Sequence, residues 1–245
     1  MNSVGIIGFG RFGKVLANIL QKGFSIKVYD LKSTGEFPGV DFVDLNNVLK
    51  EKVIFIAVPI RHFKKVISDI SSQISVGTTI IDVCSVKNHP VKIMEKYLPE
   101  NVGIIATHPM FGPDSFMSNN RPKMMMNNTR DLHSQFSFWR QYFNDQGIQV
   151  MEMSPDQHDQ MAAKTQGVTH FLGRMLKEYG IQKTSIDTQG FLDLLDLVEQ
   201  TCNDTWELYT DLQLYNPYTE DMINQLKLAT ESLDNRLKEV QNVAT

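Results

Sequence analysis

Apolar and polar positions follow two different patterns along the chain. Over residues 1–154, short apolar runs are separated by longer segments whose apolar residues recur at helical spacing. Several runs are apolar almost throughout, which is typical of parallel strands covered on both faces. Strands that alternate with helices predict a doubly wound α/β sheet. The predicted strands are VGIIGF (4–9), IKVYD (26–30), VIFIAVP (53–59), TIIDVC (79–84), VGIIATHP (102–109) and IQVMEM (148–153), and the predicted helices lie near 11–22, 45–50, 61–73, 89–97 and 131–146.

From residue 155 onward the pattern predicts helices only. The segment SPDQHD (154–159) combines a capping serine, a proline at the first helical position and an early aspartate, which is typical of a helix start. We expect this helix to continue to Tyr179 and to end at Gly180. Further helices are predicted near 190–212 and 219–240.

These two patterns predict two domains. The first is a dinucleotide-binding domain with a Rossmann-type doubly wound sheet over residues 1–154, and the second is an all-α substrate and dimerisation domain over 155–245. Residues 115–131 are the best candidate for a mobile loop, although the MMM segment (124–126) within them reads as a buried or half-buried strand.

Composition narrows the class of protein. A chain of 245 residues with 42% hydrophobic content can bury a sizeable core, and its net charge of −4 argues against a nucleic-acid partner. The chain lacks any apolar run near ~20 residues, so we expect no membrane span. Two cysteines favour a reducing compartment, and we predict a cytoplasmic protein. We also expect no leader peptide, no fused regulatory domain and no metal site.

A glycine-rich loop predicts the cofactor. Gly8, Gly10 and Gly13 follow a predicted strand and open a predicted helix, and Asp30 ends the next strand at the spacing of about 20 residues that dinucleotide sites show. The helix start offers unpaired N–H groups to a pyrophosphate, and Asp30 favours NAD over NADP, although Lys32 nearby leaves NADP possible. A strand–helix turn without ligand is the alternative. The predicted cofactor contacts are Gly8, Phe9, Gly10, Arg11, Phe12, Gly13, Asp30, Val58 and Pro59.

Two later strand ends carry candidate chemistry. The segments DVCSVK (82–87) and THPMFGP (107–113) each follow a predicted strand, so Ser85 and His108 should lie at the same sheet edge as the glycine loop. A histidine there can take a proton from a substrate hydroxyl while a hydride leaves the same carbon, and a serine can hold that hydroxyl. A surface or capping histidine is the alternative, but the stiff turn through Pro113 favours a fixed imidazole.

The chain resembles a known family. GFGRFG, DVCSVK, THPMFGPDS and MEMSPDQHDQMAAKTQGVTHFLGRML together resemble the prephenate and arogenate dehydrogenases of tyrosine biosynthesis, most closely the plant arogenate type. The resemblance runs from Val4 to about Leu237. It implies an NAD-dependent oxidative decarboxylation, in which a hydride leaves the ring carbon that bears the hydroxyl and carbon dioxide leaves opposite to it.

The resemblance also implies residue roles. His108 matches the family's catalytic histidine, and Ser85 matches the serine that bonds both the substrate hydroxyl and that histidine. His158 and His170 match two helical histidines, which lie twelve residues apart and therefore about 18 Å apart along one helix. We expect His170 on the substrate side and His158 ordering the region between the domains, while a structural role stays open for each.

The substrate's carboxylates require cationic ligands. Arg174 lies four residues after His170 and hence on the same helix face, and a guanidinium binds a carboxylate bidentately. Many bacterial prephenate-specific members carry another arginine in a TRIA-like stretch, where this chain reads LLDLVEQ (194–200), so the ligand of the ring carboxylate stays open. Asp159 is a candidate for the ammonium of arogenate, and prephenate use or dual use stays open.

Three further interpretations concern assembly and alternatives. The helices predicted near 190–212 and 219–240 carry surplus apolar residues, which predicts a homodimer through the C-terminal helices, as the family resemblance also implies. A β-hydroxyacid dehydrogenase is the rival enzyme class, because Lys164 occupies a place comparable to that class's catalytic lysine. A non-catalytic NAD-binding sensor is the alternative outside enzymes.

Overall fold

The structure is a computed structural model that describes residues 2–32, 35–112 and 121–244. Pro113 and residues 115–120, which belong to the predicted stiff turn and mobile loop, lie outside these ranges. The chain divides into two compact units, Met1–His158 and Asp159–Thr245, called here the first and second units. This division falls within the first helix after the domain boundary predicted from the sequence.

The first unit is built on one mixed sheet, which confirms the predicted Rossmann-type fold. Its strand order is β3-β2-β1-β4-β5-β6-β7-β8. Neighbouring strands are parallel except β6 and β7, which are antiparallel. The strands are β1 (Ser3–Ile7), β2 (Ser25–Tyr29), β3 (Val40–Phe42), β4 (Val53–Ile56), β5 (Thr79–Asp82), β6 (Gly103–Pro109), β7 (Lys123–Arg130) and β8 (Gln149–Glu152).

Helices cover both faces of this sheet, and the central strands are accordingly apolar. All four residues of β4 are buried, as expected where no face meets water. Trp139 and Phe143 on the last of these helices pack edge-on against Phe55 of β4, with ring centroids 5.0 and 6.4 Å away. The helices are α1 (Arg11–Leu20), α2 (Leu45–Val48), α3 (Ile60–Ile70), α4 (Asn88–Tyr97) and α5 (Gln135–Asp145).

The antiparallel strand β7 corrects part of the sequence interpretation. Residues 123–130 form a strand between β6 and β8, whereas the sequence suggested a mobile loop over 115–131. Met124, Met125 and Met126 are fully buried, which confirms the strand predicted for this short segment.

The second unit is helical, and its described residues contain no strand. The predicted helix end at Gly180 is confirmed by its left-handed backbone (φ 86°). The single helix predicted near 190–212 is wrong, because the chain turns at residues 203–205 and Thr205 caps a new helix by accepting from the Leu208 N–H (3.2 Å). The elements are α6 (Pro155–Ala162), which begins in the first unit, a π-helical turn (Ala163–Gly167), α7 (Val168–Tyr179), α8 (Gln189–Cys202), α9 (Trp206–Tyr215) and α10 (Thr219–Ala244).

Helix length and apolarity also bear on membranes. Across the described parts of the chain, each helix is either too short or too polar to cross a bilayer.

Candidate active site

The three loop glycines meet different local requirements. Gly8 has a left-handed backbone (φ 99°), and a Cβ there would overlap the carbonyl of Ala57 at the end of β4. A Cβ at Gly13 would lie 2.6 Å from the carbonyl oxygen of Gly8. At Gly10, which caps the start of α1, a Cβ would meet nothing within 4 Å. The fold therefore requires the first and third glycines, whereas Gly10 leaves open space beside the helix start, where a pyrophosphate fits.

Asp30 fixes the shape of this loop. Its Oδ2 accepts from the Phe9 N–H and its Oδ1 accepts from the Lys32 N–H, each at 2.7 Å. The carboxylate is half-buried at the end of β2, the strand beside β1. The structure thus places Asp30 against the glycine loop, and each oxygen can accept more than one hydrogen bond. Contact with a ribose hydroxyl stays a prediction.

The other predicted cofactor residues differ in burial and in their neighbours. Phe9 is 3% exposed and packs edge-on against two aromatic rings, so its side chain belongs to the core. The Phe12 ring lies 6.1 Å from that of Phe111, next to the turn after His108. Arg11 is exposed at the start of α1. The pair 58–59 follows β4, which neighbours β1 in the sheet, and Pro59 caps α3.

The sheet brings Ser85 and His108 to one edge. Strands β5 and β6 are parallel neighbours in which Asp82 pairs with Ala106. Ser85 lies three residues beyond this pair in the loop before α4, and His108 lies two residues beyond it near the end of β6. Both therefore occupy the carboxyl edge of the sheet, where open α/β folds bind their ligands.

A buried ion pair lies beneath this edge. The Lys87 Nζ donates to Asp82 Oδ1 and to the Thr107 carbonyl, and both charged side chains are fully buried. Asp82 also accepts from the N–H groups of Cys84 (3.0 Å) and Thr107 (3.3 Å). Burial raises the pKa of Asp82 while Lys87 opposes the rise. A buried ion pair of this kind stabilises a fold little. We therefore infer that Asp82 and Lys87 fix the position of the Thr107 backbone, which precedes His108.

His108 is hydrogen-bonded to a second histidine. Its Nδ1 lies 2.7 Å from Nε2 of His158, the rings meet edge-on, and each residue is 3% exposed. Burial, and then the charges of His158 and Lys87, hold the pKa of His108 well below its usual value of 6.5. An imidazole in this environment is neutral near pH 7 and can accept a proton.

The sequence analysis missed the Asp82–Lys87 pair and the contact that His158 makes. His158 was assigned to the region between the domains, yet it contacts His108 across fifty residues of chain. Such a contact leaves no signal in one sequence. Asp82 and Lys87 did carry a signal, because Asp82 ends a buried strand and Lys87 follows shortly after it, and buried charges must pair.

A second polar cluster lies within the second unit. The Arg174 Nη2 donates to the Asp204 carbonyl (2.5 Å), and the guanidinium lies 5.7 Å from the Trp206 ring centroid and 5.4 Å from that of Tyr209. His170 Nδ1 and Arg174 Nε are buried and have no hydrogen-bond partner among the described residues. Burial lowers the pKa of His170, Asp204 opposes this shift and Arg174 adds to it. The predicted pair on α7 is thus brought together with Asp204.

Asp159 lies elsewhere in the second unit. It is fully buried, and its backbone carbonyl accepts from the Asn216 side chain at 2.9 Å.

Among the described residues, no three histidines, cysteines or acids come together in a way that could hold a metal ion.

The fold and site together define a class of protein. A glycine loop at the start of a helix and a buried histidine at a neighbouring strand end are the parts of a nucleotide-dependent oxidoreductase with a Rossmann-type sheet. Residues 37–128 match the family described as "Prephenate dehydrogenase, nucleotide-binding domain". Residues 175–244 match "TYRAAT1-like, C-terminal domain".

Two plant relatives show the family. Arogenate dehydrogenase 2, chloroplastic, from Arabidopsis thaliana is 32% identical over 251 residues, which cover 96% of this chain and 69% of that protein. Arogenate dehydrogenase 1, chloroplastic, from the same plant is 34% identical over 96% of this chain, which spans only 39% of that relative's length. The chain belongs to the prephenate and arogenate dehydrogenase family, whose members are NAD(P)-dependent oxidoreductases, and the resemblance drawn from its motifs is confirmed.

Solved structures agree with the fold. Prephenate dehydrogenase from A. aeolicus, in complex with hydroxyphenyl propionate and NAD+, has a TM-score of 0.76 at 18% identity and covers 98% of this chain. This chain covers 92% of that structure. Synechocystis arogenate dehydrogenase has a TM-score of 0.70 at 19% identity, with the same coverage of both chains. At these identities the likeness shows the fold alone.

Proposed function

We propose that this chain is an NAD-dependent dehydrogenase that oxidises and decarboxylates arogenate, prephenate or both. The observation that carries the proposal is the buried His108–His158 pair at the carboxyl edge of the sheet. The plant arogenate dehydrogenases, at 32 and 34% identity, support the same reaction class.

The glycine loop fits the cofactor. Open space beside Gly10 and the N–H groups at the start of α1 would receive the pyrophosphate, and Asp30 would bind the ribose while repelling a 2′-phosphate. Bound NAD would supply a nicotinamide ring that accepts a hydride. This carboxylate supports NAD over NADP, although two yeast relatives are named for NADP.

His108 is the proposed general base. Because its Nδ1 is held by His158, its Nε2 is left for the substrate hydroxyl, which Ser85 would also hold. As His108 takes the hydroxyl proton, the hydride leaves the same ring carbon and a ketone forms. The bond to the ring carboxylate then breaks, carbon dioxide leaves, and the electron pair completes the aromatic ring. The imidazolium of His108 returns its proton to the phenolate oxygen.

The substrate's carboxylates are assigned to the second unit. His170 and Arg174 each present a buried nitrogen for which the described residues supply no partner, which supports their proposed role as carboxylate ligands. The plant relatives favour arogenate over prephenate as the substrate.

Initial rates of nicotinamide reduction test the proposal. Arogenate and prephenate are each assayed with NAD and with NADP, and 3-hydroxyisobutyrate tests the rival class that would use Lys164. We expect the highest kcat/KM with arogenate and NAD. Absence of turnover with both cyclohexadienyl acids would refute the proposal, and NAD binding without turnover would identify a sensor.

We also propose a homodimer through the C-terminal helices. Apolar side chains on these helices are exposed to water, which disfavours a monomer. Light scattering should give twice the mass of one chain, and a monomeric mass at micromolar concentration would contradict this. The exposed residues are Leu194 on α8 and Leu228, Leu233, Leu237 and Val240 on α10.

A cytoplasmic location is proposed on one ground. Two cysteines in 245 residues suit a reducing compartment. The two plant relatives are chloroplastic by name, so import into a plastid is the alternative that cell fractionation would reveal.

A further inference from the structure

A π-turn interrupts the helix that carries His170 and Arg174. The sequence predicts one continuous helix to Tyr179, but residues Ala163–Gly167 form a π-turn between α6 and α7. A π-turn holds one residue more than an α-turn, so every later residue is rotated by about 100° from the direction that an unbroken α-helix would give it. The turn therefore determines which side of α7 each of its residues occupies.

This rotation decides which side chains lie on the face of the proposed carboxylate ligands. In an unbroken helix, Thr169 would take the present direction of His170 relative to the part of α6 that lies in the second unit. One turn later, Gly173 would likewise take the direction of Arg174. A hydroxyl and a glycine would then replace an imidazole and a guanidinium. The present pairing of these two cationic side chains on this face thus depends on the π-turn.

Side-chain donors bond to backbone carbonyls around the π-turn. The hydroxyl of Thr165 donates to the Met161 carbonyl within the helix itself (2.8 Å). Gln213 on α9 brings a donor from another helix, because its Nε2 donates to the Gly167 carbonyl at 3.2 Å. The Gln213 Oε1 is buried without a partner among the described residues, a cost that an apolar side chain would avoid. An amide at this position is therefore accounted for by its bond to the turn rather than by packing.

Helix α9 contacts α7 at a second point. The Arg174 guanidinium lies 5.7 Å from the centroid of the Trp206 ring. This contact lies seven residues from Gln213 along α9 and seven residues from Gly167 along α7, so the helices are joined at both ends of a stretch of about two turns. His170 lies within this stretch. The contacts of α9 therefore fix α7 on both sides of His170.

We propose that Gln213 is a positioning residue, which holds the π-turn at Gly167 and thereby keeps His170 and Arg174 on the face of α7 that binds the substrate's carboxylate. The inference rests on the proposed dehydrogenase function. Gln213 acts through these two residues rather than by contact with substrate. Loss of its N–H donor should therefore weaken substrate binding and leave the chemistry at His108 unchanged.

The test compares Gln213→Met, which removes the donor, with the same substitution at Gln182, an exposed residue in the loop after α7. We expect Gln213→Met to raise KM for the better of the two cyclohexadienyl acids about fivefold, with kcat and the Kd for NAD unchanged, because one hydrogen bond that orients the ligands is lost. Gln182→Met should match wild type. Gln213→Lys, which retains an N–H donor, should recover part of the affinity.

A double-mutant cycle distinguishes positioning from a general structural role. In an Arg174→Gln background one of the two ligands is already absent, so Gln213→Met should raise KM less than about twofold further. A disturbance of the whole second unit would instead raise KM equally in both backgrounds.

The possible outcomes separate this inference from the function on which it rests. An unchanged KM in Gln213→Met, a fall in kcat instead, or the same increase in both backgrounds would overturn the role of Gln213 and leave the dehydrogenase function standing. A wild-type protein that turns over neither acid would refute the function and this inference together. If Gln213→Met fails to fold, as judged by circular dichroism, Gln213→Glu, which keeps the shape without the N–H donor, should raise KM by the same factor.

Discussion

The two units carry polar clusters of similar composition and different completeness. In the first unit two histidines, a lysine and an aspartate are fully or almost fully buried, with Lys87 bonded to Asp82 and His108 bonded to His158. In the second unit His170 lies with Arg174 and Asp204, and two of its nitrogens have no partner among the described residues.

We read this difference as a division between the proposed catalytic residues and the proposed substrate-binding residues. A general base acts best when its orientation and protonation state are set before substrate arrives. The bond to His158 orients His108, and burial lowers its pKa. A binding site instead needs donors that a ligand completes, as the second cluster offers. We infer that the buried His108 and the half-buried His170 differ in role because the protein supplies a partner for the first ring and leaves Nδ1 of the second without one among the described residues.

The largest expected effect is that of His108→Asn. Loss of the base should lower kcat with arogenate at least ~100-fold, while the Kd for NAD stays unchanged because the glycine loop is untouched. Stopped-flow rates and calorimetry give the two values, and His62→Asn on the exposed face of α3 is the control. Near-normal kcat would remove His108 from the reaction.

A smaller loss is expected for His158→Asn. We expect kcat to fall about tenfold, because the imidazole of His108 loses the partner that fixes its orientation. Removing this neighbour should also raise the pKa of His108, so the acidic limb of the kcat/KM profile moves to higher pH. A profile identical to wild type would show that His158 does not act on His108.

Two glycine substitutions contrast a ligand site with a packed contact. Gly10→Ala should leave the free energy of unfolding close to wild type, because its Cβ meets open space, and should raise the Kd for NAD about tenfold. Gly173→Ala should instead destabilise the protein by about 1–3 kcal/mol, since its Cβ would overlap the Thr201 hydroxyl on α8. Urea unfolding and NAD titration of both variants check this. Unchanged NAD affinity in Gly10→Ala would argue against pyrophosphate binding beside Gly10.

The smallest effect concerns pH. The pKa values of His108 and His170 are lowered in the folded protein, so the unfolded chain takes up protons first as pH falls below about 6.5. Stability should therefore be complete above this pH and decline below it. Urea unfolding at several pH values measures the slope, which should be shallower in His108→Asn. A free energy of unfolding that rises on acidification would contradict both shifts.

Local patterns predicted most of the fold. The apolar runs identified six of the eight strands outright, and glycines with a following helix located the loop at Gly8–Gly13. The edge strand β3 was not predicted, because it has only three residues, one of them an aspartate, and none of them is fully buried. The break between α8 and α9 was not predicted, because the apolar residues keep helical spacing across it. The new helix starts at the cap formed by Thr205.

Fewer features of the candidate site than of the fold could be predicted from the sequence. His108, Ser85 and Asp30 could be found because each follows a strand, and strand ends meet at one sheet edge. The His108–His158 contact and the approach of Asp204 to Arg174 depend on tertiary packing between distant segments. One sequence records no such pairing.

The most direct test of the central claim follows the hydride. Arogenate is labelled with deuterium on the ring carbon that bears the hydroxyl, and wild-type protein is incubated with it and NAD. We predict one deuterium in the reduced nicotinamide for each tyrosine formed, and a slower rate than with unlabelled substrate if hydride transfer limits turnover. Tyrosine formed without deuterium in the nicotinamide, or no tyrosine at all, would contradict the account.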